Sequence, residues 1–460
     1  MGLAAYIAVV SGLALGLWRH PGVALAGILC MFGLEQWGQA TTTYFVQHQT
    51  ATNYLMGGIL VLALMRQGIR NGFSILAGYP TVAWLTLVLF LYAFASTQWA
   101  TRADISLELW SSRWPYLLTF LVLSPFVINS SRDLRSAYTA VFLSGGLLTF
   151  LLLFFVKWEA RRIVLDHDLG NPLAAAAMAG MVAIVAILAD PWPRFKICAP
   201  IKWAAIALCL ALVVRSGSRG QLLGVIVVSI ACWPISRGCS NVKQFFLLGF
   251  VVLFLGATCA WALQEFWTYQ EYGGRVDRWS EQSAQEGLAG RFGNAFLLLR
   301  LAYQTPETVL FGLGNSSAYD PRILGIYPHF VPLEVLAEEG LVGFALYALV
   351  AYSTFRSGVR CLKLAADEQS DRLLVGGLLA LYGFTVLLSL KQGSLLINLE
   401  PFMLAIVLGR YEHILIREHA LIGAATEERF EDKVFAGPSR GHDEVQALHH
   451  ETRAEVNGWM

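Results

Sequence analysis

The sequence predicts an all-α polytopic membrane protein, with about 12–13 transmembrane helices and one large extracytoplasmic loop that contains short helices. Two observations predict this fold class. The chain is 56% hydrophobic and only 14% charged, whereas soluble domains are roughly 45–50% apolar and about 25% charged. Apolar runs near or above the ~17–25 residues that cross a bilayer recur along most of the chain, and the mean hydropathy is +0.56.

The apolar runs define the spans in order. The first run lacks a basic leader and is followed at once by another run, so we interpret it as a retained helix and not as a secretion signal. Merging the first two runs would give twelve spans in place of thirteen. The predicted spans are 2–18, 22–37, 52–66, 75–96, 115–129, 136–156, 171–190, 200–214, 220–236, 244–263, 332–353, 373–390 and 400–416.

Four regions follow from these spans. Residues 1–263 form the N-terminal transmembrane helices, 264–331 the large loop, 332–416 the C-terminal transmembrane helices and 417–460 a polar tail. The tail has mixed charge and too few large apolar residues to build a core, so we predict that it is mostly disordered. Its basic beginning next to the membrane favours a cytoplasmic position.

Cationic residues alternate between the short loops, and the positive-inside rule assigns the basic loops to the cytoplasm. The large loop, and the loops around 38–51, 97–114, 157–170, 215–219 and 391–399, are then extracytoplasmic. A cytoplasmic Arg19 would put the N-terminus outside, and a merged first pair would put both termini inside. The cytoplasmic cations are Arg66, Arg70, Arg132, Arg135, Arg194, Lys196, Lys202, Arg237, Lys243, Arg356, Arg360 and Lys363.

Composition argues against several classes of partner. The formal net charge is +1, so no global field favours nucleic acid. The cysteines are odd in number, at seven, and none lies in the large loop, so no disulfide framework is predicted. The sequence contains neither a metal-ligand spacing nor a P-loop, and we predict no metal and no cofactor.

Arginine is the residue type that points to a ligand. A guanidinium is a planar fork of donors that suits phosphate and pyrophosphate oxygens. Arg215 and Arg219 stand four residues apart at the outer end of a predicted span. On a continued helix they would share a face; if the intervening glycine breaks the helix, Ser218 is positioned to cap the next one. The alternative is that both arginines only end the helix at the membrane interface.

The large loop carries more cations and a turn signal. Arg291 precedes an apolar, helix-patterned run from Ala295 to Tyr303, which Pro306 ends. Gly312-Leu313-Gly314 then predicts a turn that brings backbone close to a ligand. Besides Arg215, the outer-side cations that we assign to substrate binding are Arg275, Arg278, Arg300 and Lys391.

His329 is the candidate general base. It lies in Tyr327-Pro328-His329, close to the point where the chain re-enters the membrane. An ordinary imidazole, with a pKa of ~6.5, accepts a proton near neutral pH. Glu334 and Glu338 follow on the same predicted helix, where they would orient or tune the imidazole, or only solvate the first helical turn.

At this point the sequence resembles a known family. The runs SGSRGQLLG, AGRFGNAF, FGLGNSSAY and HFVPLEVLAEEGLVG, in this order around a long outer loop, are similar to the superfamily of O-antigen ligases and Wzy-type O-antigen polymerases. The resemblance covers roughly residues 200–355. It assigns the family's functional positions to Arg219, Arg291, His329, Glu334 and Glu338. The chain departs from many relatives at the residue after the histidine, where they have asparagine and this chain has phenylalanine.

The resemblance implies an enzyme of the bacterial inner membrane with a periplasmic active site. Such enzymes transfer a glycan from undecaprenyl diphosphate to a sugar hydroxyl without a nucleotide. Arg219 and Arg291 would stabilise the departing diphosphate, and His329 would deprotonate the acceptor hydroxyl. No paired carboxylates stand out as a glycosidase-like nucleophile and acid, which favours inverting displacement.

Within the superfamily we favour a ligase. The close pair of arginines and the single dominant outer loop are similar to that branch, whose acceptor is lipid A–core oligosaccharide. The partners would then be the carrier-linked glycan, this acceptor and membrane lipids. A Wzy-type polymerase and a protein O-oligosaccharyltransferase stay open as alternatives. A polysaccharide transporter is less favoured, because the suggestive charges gather at one outer surface and not inside the spans.

Overall fold

The computed structural model describes residues 2–71, 79–159, 162–165, 170, 172–190, 199–238 and 281–435. Within these ranges the chain is almost entirely helical, which confirms the prediction of an all-α membrane protein. The exception is a two-residue antiparallel hairpin, β1 (Trp158–Glu159) with β2 (Arg162–Ile163), in which Trp158 pairs with Ile163.

The first half of the bundle consists of eleven helices among the described residues. Pro and Gly separate several of them, because neither residue continues a helix without cost. The helices are α1 (Gly2–Arg19), α2 (Val23–Thr41), α3 (Thr43–Gln47), α4 (Ala51–Asn71), α5 (Thr81–Ser96), α6 (Ala103–Leu117), α7 (Ser131–Ala140), α8 (Gly146–Phe154), α9 (Pro172–Ile184), α10 (Ala199–Arg215) and α11 (Arg219–Arg237).

Short turns of other helix types extend several of these helices. The 3-10 turn Thr97–Trp99 follows α5, and the π-turn Val141–Gly145 joins α7 to α8. Leu118–Leu123 and Ser124–Val127 continue α6, and Val185–Ala189 continues α9.

The second half begins in the predicted large loop. Its helices are α12 (Glu281–Ala302), α13 (Pro306–Phe311), α14 (Val331–Glu338), α15 (Gly340–Leu364), α16 (Gln369–Ser389) and α17 (Glu400–Phe435), with a 3-10 turn at Ser317–Tyr319.

Six helical segments in the described part of the chain are long and apolar enough to cross a membrane. They are Gly2–Arg19, Thr81–Trp99, Ser131–Phe154, Pro172–Ala189, Arg219–Arg237 and Gln369–Ser389. Twelve of the thirteen predicted spans overlap a described helix, and the thirteenth, 244–263, lies outside the described residues. The total number of crossings stays a prediction.

Small residues let the helices beneath the candidate site approach closely. The fully buried ring of Phe384 in α16 lies against Gly180 of α9 and Gly224 of α11. A Cβ atom at Gly180 would be 2.6 Å from the ring, and one at Gly224 would be 3.0 Å away. Glycine at helix interfaces permits such packing in membranes, and here it fixes α11, which begins with Arg219, against α16.

The basic loops meet at one end of the bundle. Asp190 forms ion pairs with Lys202, at 3.1 Å, and with Arg237, at 3.4 Å. The Arg66 guanidinium donates to the carbonyl of Leu17 at 2.5 Å. We call this end the basic end.

The predicted outer loops meet at the opposite end, which we call the site end. Gly2 of α1 contacts Thr41 of α2 there, so the first two predicted spans are separate antiparallel helices. The choice between twelve and thirteen spans stays a prediction. The same contact places the N-terminus at the site end, away from Arg19.

Three predicted boundaries need correction. The predicted loop 97–114 is largely helical, because α6 begins at Ala103. The predicted span 332–353 is broken, since Gly340 has a φ of +65° and divides α14 from α15. The tail is not disordered throughout, because α17 continues to Phe435; residues 436–460 lie outside the described ranges.

Candidate functional site

The described part of the large loop has a small core of its own. Ala295, Leu298 and Ala302 form a buried stripe on α12, spaced three to four residues apart. Leu298 and Ala302 pack against Ala318 and Ala337. The predicted helical run 295–303 is therefore confirmed, but the helix begins earlier, at Glu281. Pro306 ends the run as predicted and opens α13, which Thr305 caps.

Gly312 and Gly314 bring the loop against its own chain. The amides of Leu313 and Gly314 donate to the carbonyls of Ala337 and Glu338, at 3.0 and 2.8 Å. Both glycines have positive φ, and a Cβ at Gly314 would lie 2.4 Å from the Cα of Ala100. The close backbone approach predicted from Gly-x-Gly is present, and in this structure its partners are protein backbone.

Glu338 fastens the 3-10 turn that follows. Its carboxylate is 1% exposed and accepts hydrogen bonds from the amides of Ser316, at 2.6 Å, and Ala318, at 2.8 Å. Burial raises the pKa of this carboxyl, since the ionised form loses hydration. These bonds give Glu338 a structural task; a further role toward a substrate or the imidazole stays a prediction.

Asn315 and Glu339 link the loop to α5 and α6. The Asn315 amide nitrogen donates to Glu339 Oε1 at 2.9 Å, and its backbone amide donates to Ser96 Oγ at 2.9 Å. Trp110 Nε1 donates to Asn315 Oδ1 at 3.0 Å, and the Ser106 hydroxyl donates to the Asn315 carbonyl. Burial raises the pKa of Glu339 to about 7, although the bond from Asn315 opposes the change.

Glu334 connects α14 to the turn at 390–399. Its Oε1 accepts from the amide of Leu395 at 3.2 Å, and its Oε2 has no hydrogen-bond partner among the residues that the structure describes. Burial raises the pKa of Glu334, and the neighbouring charge of Glu338 raises it further. Like Glu338, this residue lies in the short helix that precedes α15.

His329 has an unusual backbone conformation. Its φ is +64°, in the left-handed region that few residues other than glycine adopt. The imidazole is half-buried, with its ring centre 4.2 Å from that of Tyr327 in an edge-on contact. Strained backbone of this kind concentrates at functional sites, so the conformation agrees with the predicted role.

The structure brings the segments of Arg291 and His329 together. Phe292, the residue after Arg291, lies 5.7 Å from Phe330, the residue after His329, measured between ring centres. Arg291 lies within α12, and its side chain lies outside the described part of the structure. Phe330 therefore has a role in this chain, because it packs the histidine segment against the Gly-Arg helix.

The helix is interrupted between Arg215 and Arg219, the two arginines around the Ser-Arg-Gly run. Arg215 ends α10, Arg219 begins α11, and Gly217 between them has a φ of +68°. The alternative with a break is therefore confirmed. Ser218 occupies the N-cap position, but its side chain makes no capping bond; its hydroxyl instead accepts one from Ser216 at 2.8 Å.

The Arg215 side chain makes two contacts with neighbouring elements. The Arg215 guanidinium donates to the carbonyl of Leu153 at 2.6 Å and lies over the ring of Trp158, 5.0 Å from its centre. These contacts join α10 to the end of α8 and the hairpin. Arg215 therefore makes structural contacts, and its role in substrate binding stays a prediction.

Lys391 joins Arg219 at the start of α11. Its ammonium donates to Gln221 Oε1 at 2.6 Å, and the Gln221 amide donates to Gln392 at 3.0 Å. A Cβ at Gly220 would lie 2.3 Å from Cδ of Lys391, so glycine is what admits the lysine. The Lys391 side chain thus lies at the start of the helix whose first residue is Arg219.

The turn at 390–399 connects this cationic cluster to the histidine segment. It begins beside α11 through Lys391 and reaches α14 through the bond from Leu395 to Glu334. Contacts therefore run without interruption from the start of α11, where Arg219 lies, through Lys391 and the turn to Glu334. Glu334 belongs to the helix that follows His329.

Other predicted site residues lie elsewhere or outside the described part. Arg300 is exposed near the end of α12, and Arg275 and Arg278 fall outside the described residues. Among the described residues, no cluster of His, Cys, Asp or Glu has the arrangement of a metal site.

Sequence reasoning missed Asn315, Glu339, Ser96 and Trp110. Asn315 follows Gly314 and Glu339 follows Glu338, but three of the partners of Asn315 are more than 200 positions away. No local pattern reveals such a partner.

Comparison with known proteins adds no relative. Neither the models of known protein families nor the curated proteins give a significant match to this chain.

Proposed function

We propose that the protein is a glycosyltransferase that moves a glycan from undecaprenyl diphosphate to lipid A–core oligosaccharide, as an O-antigen ligase does. The observation that carries the proposal is the meeting of Arg219, Lys391 and the segments of Arg291 and His329 at one end of a membrane bundle. The basic loops lie at the other end. By the positive-inside rule the site end then faces the periplasm of the inner membrane.

The cations suit a departing diphosphate. Arg219 and Lys391 stand at the N-terminus of α11, where the helix dipole also favours an anion. Negative charge develops on the diphosphate as its bond to the anomeric carbon breaks. Fixed positive groups stabilise that charge best in a partly dry cleft, and Arg291 would add a second guanidinium from α12.

His329 is suited to take the proton of the acceptor hydroxyl. It lies on the segment between the loop and α14, which two buried carboxylates hold in place. The hydroxyl attacks the anomeric carbon as the carbon–diphosphate bond breaks, and the hydroxyl proton passes to the imidazole. The donor brings its own activation, so no nucleotide is needed.

The first test is the glycolipid profile of a bacterium deleted for this gene, with carrier-linked and lipid A-linked glycans analysed separately. A ligase predicts full-length chains on the carrier beside bare lipid A–core. Single repeats on the core would indicate a polymerase instead. An unchanged profile would contradict both and direct attention to protein glycosylation or transport.

The second test is the role of His329. His329→Ala, at membrane abundance matched to the wild type, should lose most transfer activity from a carrier-linked donor. His48→Ala is the matched control, because His48 is exposed and belongs to a predicted outer loop. A His329→Ala enzyme with a rate near that of the wild type would rule out the histidine as the base.

A further inference from the structure

An apolar patch surrounds the end of the short helix α13. Its members are 38–48% exposed and come from three elements. Exposed apolar side chains scattered singly are ordinary, whereas a contiguous patch marks a surface that binds something. The patch consists of Trp99, Leu310, Phe311, Leu341 and Val342.

Hydrogen bonds place this patch at a defined height on the bundle. The carbonyl of Phe311 accepts from Tyr92 Oη and from Trp99 Nε1, both at 3.3 Å. Tyr92 and Trp99 both belong to the candidate span Thr81–Trp99, and seven residues of helix correspond to about 10 Å. The end of α13 therefore lies beside the last two turns of a membrane-spanning helix, and not above it.

The backbone of α13 is satisfied in a way that suits this depth. Polar backbone groups at the edge of a bilayer need partners within the protein. Thr305 and Thr308 form a capping box at the N-terminus of the helix, and the amide of Gly312 donates to Thr308 at its end. The Phe311 carbonyl is satisfied as well, because it accepts hydrogen bonds from the Tyr92 hydroxyl and the Trp99 indole.

The patch is continuous with an exposed apolar face of α15. Gly340 packs against the carbonyl of Leu310, whose oxygen would lie only 2.4 Å from a Cβ added at Gly340, so Leu341 and Val342 follow directly beside α13. Further along α15, Leu349, Tyr352 and Phe355 are 47–69% exposed and continue the apolar face for about four turns. Tyr and Trp residues are typical of the level at which a span meets the lipid headgroups.

We infer that α13 is an interfacial helix, whose Leu310 and Phe311 side chains insert into the headgroup–acyl boundary of the bilayer at the site end. The partner of this surface is lipid, and the inference does not depend on the reaction. Because Leu313 and Gly314 follow α13 and their amides bind the end of α14, the anchor fixes the height of the candidate site above the membrane. A carrier whose reacting group stays near the headgroups would then meet the site without leaving the bilayer.

The test uses the full-length protein in lipid nanodiscs. A small fluorescent amino acid replaces Leu310 or Phe311 in one pair of variants and Glu307 in a control, since Glu307 is exposed at the polar start of the same helix. Brominated lipids and aqueous iodide serve as the two quenchers. Substitutions at these exposed positions leave the buried core unchanged, and normal elution of the purified protein in size-exclusion chromatography confirms folding.

We expect brominated lipid to quench most of the emission at positions 310 and 311, and iodide to quench little of it. At position 307, iodide should quench most of the emission and brominated lipid little. Quenching of 310 and 311 by iodide would overturn the inference, because the patch would then face water. Protection from both quenchers would also overturn it, since a protein surface, such as a second copy of the chain, would then cover the patch.

Discussion

Replacement of Glu339 by glutamine should remove part of the pH dependence of stability. The side chain is fully buried, its Oε1 accepts a bond from Asn315, and its Oε2 has no partner among the described residues. Its pKa rises from 4.5 to about 7. Each pKa unit corresponds to about 1.4 kcal/mol, so ionisation of this carboxyl opposes folding by at most roughly 3 to 4 kcal/mol.

The sign follows from proton binding. Between pH 4.5 and about 7 the folded protein holds this proton and the unfolded chain has lost it. The free energy of unfolding therefore falls as the pH rises through this window and changes no further above it. Glu339→Gln carries no charge at any pH, and its carbonyl oxygen still accepts the bond from Asn315.

The assay compares thermal unfolding in nanodiscs at pH 5 and pH 8. The wild type should unfold at a lower temperature at pH 8, and Glu339→Gln should lose part of that difference and be the more stable protein at pH 8. Glu307→Gln, at an exposed carboxyl on α13, should behave like the wild type. A Glu339→Gln protein that keeps the full pH dependence, or is less stable than the wild type at pH 8, would refute the reasoning.

Further predictions concern the arginines and one glycine. Arg219→Lys and Arg291→Lys keep the charge but lose the planar fork, so each should lower the initial transfer rate; undiminished turnover and carrier affinity in both would contradict recognition of the diphosphate. Gly314→Ala should lower stability by more than about 2 kcal/mol, because the residue has a φ of +90° and its Cβ would meet Ala100 at 2.4 Å. Gly293→Ala, in a helix with open space at the Cβ position, should be neutral or stabilising by up to about 1 kcal/mol, and thermal unfolding of the two variants measures the contrast.

The sequence predicted the helices well where apolar residues are continuous, because a bilayer-length apolar run has few other ways to fold. It failed at α6, whose first turns carry Asp104, Glu108 and Arg113 and therefore looked like a loop. It also failed at Gly340, since the break there depends on the carbonyl of Leu310, which approaches from another helix.

For the candidate site, residue types were more predictable than partners. Glycine at 312 and 314 indicated a close backbone approach, which is present. The sequence identified Glu334 and Glu338 as candidate site residues. It did not reveal that each carboxylate binds the backbone of a distant segment. Such pairings depend on how helices pack, and periodicity along the chain carries no information about them.

The bond between the Asn315 amide and Ser96 Oγ joins residues 219 positions apart, and this separation has a consequence for biogenesis. Helices α1 to α11 are synthesised and inserted long before the partners of their outer ends exist. Glu338 and Glu339 come later still, and a buried carboxyl is unfavourable until its hydrogen-bond donors are in place. The site should therefore mature last, and a chain that stops short of α15 should remain inert even when every earlier helix is correctly inserted.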